Sequence, residues 1–119
     1  MIFSLTLQKT TDMLLSFTLS NFRSFKTKKT LDLTAATIKE YEESLFSTVG
    51  LSVLPSAVLY GANSSGKSNL IEAIRTFLTT VYDSASYNSS EELPMAPFMF
   101  DEDSRTKPSC FEIELLIDD

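Results

Sequence analysis

The chain has no histidine, no tryptophan, one cysteine, three glycines and four prolines in 119 residues. Without histidine there is no imidazole to act as a base near neutral pH and no histidine-containing zinc set. A lone Cys110 closes no intrachain disulfide. It begins an apolar strand pattern with no activating partner in view, so it reads as a small packed thiol rather than a nucleophile. No run of about twenty apolar residues exists to span a membrane. The opening Met1-Ile2-Phe3-Ser4-Leu5-Thr6-Leu7 lacks the basic start and small-residue cleavage site of a secretory signal. The expectation is a cytoplasmic protein with no membrane partner. Disorder is excluded for most of the chain by 43% hydrophobic residues and the absence of any low-complexity tract. The length suits one small core.

With glycine so scarce, the position of two of the three is informative. Gly61-Ala62-Asn63-Ser64-Ser65-Gly66-Lys67-Ser68 is a complete G-x-x-x-x-G-K-[ST] loop. Ala57-Val58-Leu59-Tyr60 before it reads as a buried strand, and Ser68-Asn69-Leu70-Ile71 after it opens a helix. Small residues let such a loop wrap an anion with its N–H groups pointing inward, and the helix adds its own unpaired N–H groups and positive dipole end. Gly61 and Gly66 supply positive φ and close backbone approach. Lys67 would reach the β- and γ-phosphates, and the Ser68 hydroxyl would ligate Mg²⁺.

Along the chain, Leu15, Phe17 and Leu19 alternate with Ser16, Thr18 and Ser20, the period of a half-buried strand. Asn21-Phe22-Arg23-Ser24-Phe25 turns the chain, and Leu31 and Leu33 resume a second strand able to pair antiparallel with the first. Residues 36–50 are mixed, with weak helical character around Ile38 to Leu45. Leu70, Ile71, Ala73, Ile74, Phe77, Leu78 and Val81 recur at helical spacing, predicting a helix from about Lys67 to Tyr82 that buries this stripe on a sheet. Residues 83–107 read as a long loop around Phe98-Met99-Phe100. Phe111, Ile113, Leu115 and Ile117 alternate with Glu112 and Glu114 as a last strand.

Charge is unevenly spread. Residues 1–82 carry eight basic and six acidic side chains, and 83–119 carry two and ten. Arg23, Lys26, Lys28 and Lys29 form a local basic run whose spacing suits a solvated hairpin surface, with nucleic-acid binding as the second reading. The net charge of −6 weighs against bulk attraction to nucleic acid.

Hydrolysis by such a loop needs an acid at the end of a second buried strand. Leu115-Leu116-Ile117-Asp118-Asp119 has the outline, but Glu112 and Glu114 put charge on one face of a strand that should be apolar on both. Asp101-Glu102-Asp103 follows too short an apolar run, broken by Pro97. No catalytic residue is assigned within the chain.

Two segments together, Met13-Leu14-Leu15-Ser16-Phe17 through Asn21-Phe22-Arg23-Ser24-Phe25, and Tyr60-Gly61-Ala62-Asn63 through Gly66-Lys67-Ser68-Asn69-Leu70, resemble the N-terminal lobe of ABC-type ATPases of the SMC, RecF and OLD-like group. They are closer still to AAA-type bacterial ATPases of phage-defence and abortive-infection systems. The resemblance covers most of residues 13–119. It implies an α/β P-loop NTPase fold, a partial ABC-type head lobe with an antiparallel β hairpin beside the Walker A strand and helix. Residues 1–12 then look like an N-terminal extension and 13–119 like an incomplete lobe, the family's signature motif, Walker B and switch residue lying downstream. It implies ATP and Mg²⁺ as cofactors and a parent that closes nucleotide between two heads, hence a homodimer or higher oligomer, with an effector nuclease as a further partner. In related heads the N-F-R-S-F turn approaches the nucleotide, which makes Arg23 and Ser24 candidate contacts beside the loop residues Gly61 to Asn69.

Three functions compete: an ATP·Mg²⁺-binding fragment of an ATPase, inactive alone; a self-contained small kinase or NTPase using Asp118 as Walker B; and a nucleotide-independent module that binds a nuclease or a second head.

Overall fold

The alternation around Phe17 and the helix behind the glycine loop both form in the computed structural model, which describes residues 2–3, 12–35, 45–48, 50–62, 65–86 and 95–117. In chain order the elements are β1 (Ile2–Phe3), β2 (Met13–Ser20), β3 (Lys29–Asp32), β4 (Phe46–Thr48), β5 (Leu51–Val53), β6 (Ala57–Val58), α1 (Lys67–Asp83), α2 (Glu102–Arg105) and β7 (Cys110–Leu116). The fold is α/β. A three-stranded antiparallel sheet runs in the order β3-β2-β7, and two smaller sheets pair β1 with β6 and β4 with β5. Among the described residues no helix is long and apolar enough to cross a membrane.

The chain divides into two units. One comprises Met1–Phe17, Thr30–Tyr60 and Ile113–Asp119, the other Thr18–Lys29 and Gly61–Glu112. In the first, β1 meets β6 antiparallel with Ile2 opposite Val58, and β4 meets β5 with Phe46 opposite Val53. Beyond β3 the backbone continues beside β5. Leu54 N–H donates to the Leu33 carbonyl at 2.7 Å and Ala35 N–H to the Ser52 carbonyl at 2.8 Å. Asp32 closes the bend between them, accepting from the Thr34 amide at 2.9 Å and its hydroxyl at 2.6 Å. Those two bonds, the hydroxyl first, hold the Asp32 carboxyl below its ordinary pKa.

The β2 strand is more enclosed than a half-buried one. Ser16 and Thr18 are buried along with Phe17 and Leu19, as befits the middle strand of three. Burial of Ser16 is tolerable because its hydroxyl donates to Glu114 Oε2 at 2.8 Å.

The second unit is built around the turn at residues 21–25. Phe22 N–H donates to the Phe25 carbonyl at 2.9 Å and Phe25 N–H to the Phe22 carbonyl at 2.8 Å, leaving Arg23 and Ser24 at the tip. Phe22 is buried and meets Phe111 edge-on with ring centroids 5.4 Å apart, and Phe77 of α1 lies against the same Phe111 at 6.3 Å. Three aromatic rings thus tie turn, last strand and helix together, at about 0.5–1.5 kcal/mol per ring pair beyond burial.

Several expectations are corrected here. Residues 57–60 are not a buried strand: only Ala57–Val58 pairs, and Val58 and Tyr60 are 47% and 89% exposed. Among the described residues β6 has one two-residue neighbour, which covers little of either face. The hairpin of β2 and β3 forms, but its sheet continues into β7 and does not include β6. Of the apolar stripe on α1 only Ala73 is fully buried, and Leu78 and Val81 are exposed. Residues 83–107 are not all loop. Asp101 accepts from the Ser104 amide and hydroxyl and starts α2, the ordinary N-cap use of aspartate. Cys110 opens β7 as expected, but its thiol is exposed. The weak helical character read around residues 38–45 falls almost wholly outside the described residues.

Candidate phosphate-binding loop

Gly66 is the point on which the loop turns. It is the N-cap of α1 with φ 88°, the left-handed region that a side chain resists. An added Cβ would sit 3.0 Å from Ser24 Oγ and 3.5 Å from Phe25 Cζ. At Gly61 a Cβ would meet Ser65 Oγ at 2.6 Å. At both glycines an added Cβ would crowd a neighbouring serine side chain, and at Gly66 it would also be strained by the left-handed φ.

The start of α1 is left open to an anion. Gly66 offers no side-chain cap, and no acidic residue stands in the first turn. The first helical bond runs from Leu70 N–H to the Gly66 carbonyl at 3.0 Å, so the amides of Lys67, Ser68 and Asn69 precede the ladder and lack an intrahelical acceptor. The positive end of the helix dipole lies at the same place.

Lys67 is folded across the loop. Its ammonium donates to the Gly61 carbonyl at 2.5 Å, the Ala62 carbonyl at 2.6 Å and Ser65 Oγ at 3.2 Å. Three ammonium donors meet three neutral acceptors, so among the described residues the charge is solvated by the loop without a carboxylate to neutralise it. Ser65 N–H donates to the Ala62 carbonyl at 3.0 Å and tightens the bend. Ser68 is exposed at the helix start.

The N-F-R-S-F turn reaches this loop through Ser24, whose Oγ accepts from Asn69 Nδ2 at 2.9 Å. Arg23 is exposed, with φ 49°. Its guanidinium stacks over Phe22 at 5.7 Å, and its amide donates to the Ala96 carbonyl at 2.7 Å. Of the predicted site residues, Gly61, Ala62, Ser65, Gly66, Lys67, Ser68 and Asn69 form one loop and helix start, with Ser24 bonded to Asn69. Asn63 and Ser64 lie outside the described residues, as do Asp118 and Asp119.

The basic run is partly neutralised within this unit. Lys26 pairs with Asp101 at 3.5 Å and Lys28 with Glu112 at 2.9 Å. These exposed pairs contribute little stability, but they cancel half of the four charges that suggested a nucleic-acid face.

Sequence reasoning missed Asn21. It read as one letter of a turn, yet its buried side chain organises residues 95–109. Nδ2 donates to the carbonyls of Ser104 and Lys107 at 2.8 Å and of Pro108 at 3.3 Å, while Oδ1 accepts from Phe98 N–H at 3.1 Å. The Ser109 hydroxyl closes on the Asn21 carbonyl at 2.6 Å. Asparagine suits the place twice over, since it tolerates the observed φ of 50° and offers both donors and an acceptor.

Two observations bear on the Walker B alternative. The β7 strand that leads to Asp118 pairs with β2 and shares no sheet with β6, and Leu115 and Ile117 are 51% and 66% exposed. Among the described residues no three of His, Cys, Asp and Glu are placed to hold a metal ion.

A family model described as "AAA domain, putative AbiEii toxin, Type IV TA system" matches residues 56–119, which include the whole glycine loop, α1 and β7. No curated protein and no solved structure matches the chain.

Proposed function

Because the chain belongs to this AAA domain family, we propose that it is an ATP·Mg²⁺-binding lobe of an ABC/SMC-like ATPase of the toxin–antitoxin or abortive-infection kind. The observation that carries the reading is the uncapped start of α1 behind a left-handed Gly66, with the Lys67 ammonium held by neutral acceptors among the described residues. The residues fit the group. Backbone amides of residues 61–69 would hold the phosphates, Lys67 would exchange loop carbonyls for phosphate oxygens, and the Ser68 hydroxyl would ligate Mg²⁺. Arg23, Ser24 and Asn69 would border the phosphates. Bound Mg²⁺ supplies charge neutralisation at the phosphates.

The assigned activity is binding, with hydrolysis left to a complete head and its oligomeric partner. A kinase or NTPase built on Asp118 is disfavoured by the exposure of Leu115 and Ile117 and by the pairing of β7 with β2. Calorimetric titration of ATP·Mg²⁺ tests the reading. Losing the Lys67 ammonium removes charge-assisted bonds of about 1.5–3 kcal/mol, so Lys67→Ala is expected to weaken binding by about 10- to 100-fold. Equal affinity in the variant would overturn it, and turnover abolished by Asp118→Asn would favour the self-contained enzyme.

A further inference from the structure

Resting on the reading of residues 61–68 as a phosphate loop, we propose that occupancy of this loop is transmitted through the turn at residues 21–25 to residues 95–109. Nucleotide binding thereby orders a segment that carries the exposed Met99 and Phe100.

The connection is continuous and polar. Asn69, at the helix start, donates to Ser24 Oγ at 2.9 Å, and the same oxygen packs against Gly66. The neighbouring Arg23 amide donates to the Ala96 carbonyl at 2.7 Å. Two residues earlier, the Asn21 side chain accepts from the Phe98 amide and donates to the carbonyls of Ser104 and Lys107. These bonds between loop and segment meet in the five consecutive residues 21–25.

Those residues have the character of a two-position element. Asn21 and Arg23 are the non-glycine residues with positive φ among those described, at 50° and 49°. Arginine has no intrinsic reason to stay there. The backbone bonds between Phe22 and Phe25 close the turn, and its tip is held further by the Arg23 bond to Ala96 on one side and by Ser24's place against Gly66 and Asn69 on the other. A ligand that fixes the helix start fixes Ser24, and a turn held at both ends stays in its left-handed form. By linkage the reverse also holds, so that loosening residues 95–109 weakens binding by the same factor.

Amide hydrogen exchange on the full chain, with and without saturating ATP·Mg²⁺, tests the proposal. The amides of Phe98 and Arg23 are expected to exchange about five-fold more slowly or better with nucleotide, the lower edge of common coupling. In Ser24→Ala, and independently in Asn69→Ala, at nucleotide concentrations that saturate each variant, the helix-start amides gain protection while Phe98 and Arg23 do not. Ser24→Thr, which keeps the hydroxyl, restores the response. Protection confined to residues 66–70 in the wild type overturns the relay and leaves nucleotide binding standing, and so does full coupling in both Ser24→Ala and Asn69→Ala. No response at either place, with no binding heat, overturns both readings.

Discussion

Alanine at Gly66 combines two costs that alanine at Gly50 separates. Both glycines have positive φ, 88° and 77°, but an added Cβ at Gly50 meets nothing within 4 Å, whereas at Gly66 it meets Ser24 Oγ at 3.0 Å. Each substitution therefore incurs the left-handed backbone penalty of about 1–2 kcal/mol. Gly66→Ala must also push Ser24 Oγ back by a few tenths of an ångström, which strains its bond with Asn69 and adds up to about 0.5–1 kcal/mol. Urea denaturation would show Gly50→Ala down by about 1–2 kcal/mol and Gly66→Ala by roughly 1.5–3 kcal/mol, with midpoints on heating falling about 4 °C per kcal/mol. Gly50→Ala should bind nucleotide as the wild type does, while Gly66→Ala should lose about 10-fold or more in affinity through the misplaced helix start. Adding Ser24→Ala to Gly66→Ala should cost little more, since the bond that it removes is already strained there. The reasoning is refuted if Gly66→Ala is no less stable than Gly50→Ala and binds nucleotide normally.

Three further predictions concern the surroundings of the loop. Asn21→Ala strands the Lys107 carbonyl and the Phe98 amide, and should cost about 2–3 kcal/mol in chemical denaturation; a change within error would mean that these groups find other partners. Asp101 has a carboxyl held below its ordinary pKa of 3.8, chiefly by the Ser104 hydroxyl. A depressed carboxyl stabilises fully above its unfolded value and loses that contribution as pH falls through the folded one. The cap of α2 should therefore persist at pH 4 and open only below the ordinary aspartate range. The Ser104 amide shift followed from pH 5 downward would report it, and a midpoint at or above 3.8 would contradict it. Lys28→Ala should change stability by less than about 1 kcal/mol despite the short contact with Glu112, because both side chains are exposed.

How much was readable in advance follows from the range of the interactions involved. The glycine loop and the helix behind it are local: spacing, backbone freedom and helix periodicity reside in consecutive residues, and α1 begins at Lys67 as the pattern requires. The β2–β3 hairpin was equally local, since its turn is made by bonds between Phe22 and Phe25. Burial was not local. The depth of Ser16 and Thr18 depends on β2 lying between β3 and β7, and the exposure of Tyr60 depends on how little lies beside β6. Asn21 is the clearest case. Its five partners, from Phe98 to Ser109, lie some eighty residues away. Its only trace in the sequence is an asparagine where a left-handed residue was needed. The contact of Ser24 with Asn69 was not expected, since nothing in either segment alone brings them together.

The most direct test of the central claim is an amide chemical-shift titration of the chain with ATP·Mg²⁺, following Ser65, Gly66, Lys67, Ser68 and Asn69. A nest of amides at the start of α1 predicts that these five move together, saturate with one affinity and stay still in Lys67→Ala at the same concentration. Binding that leaves them unmoved, or their movement undiminished without the lysine, would contradict it.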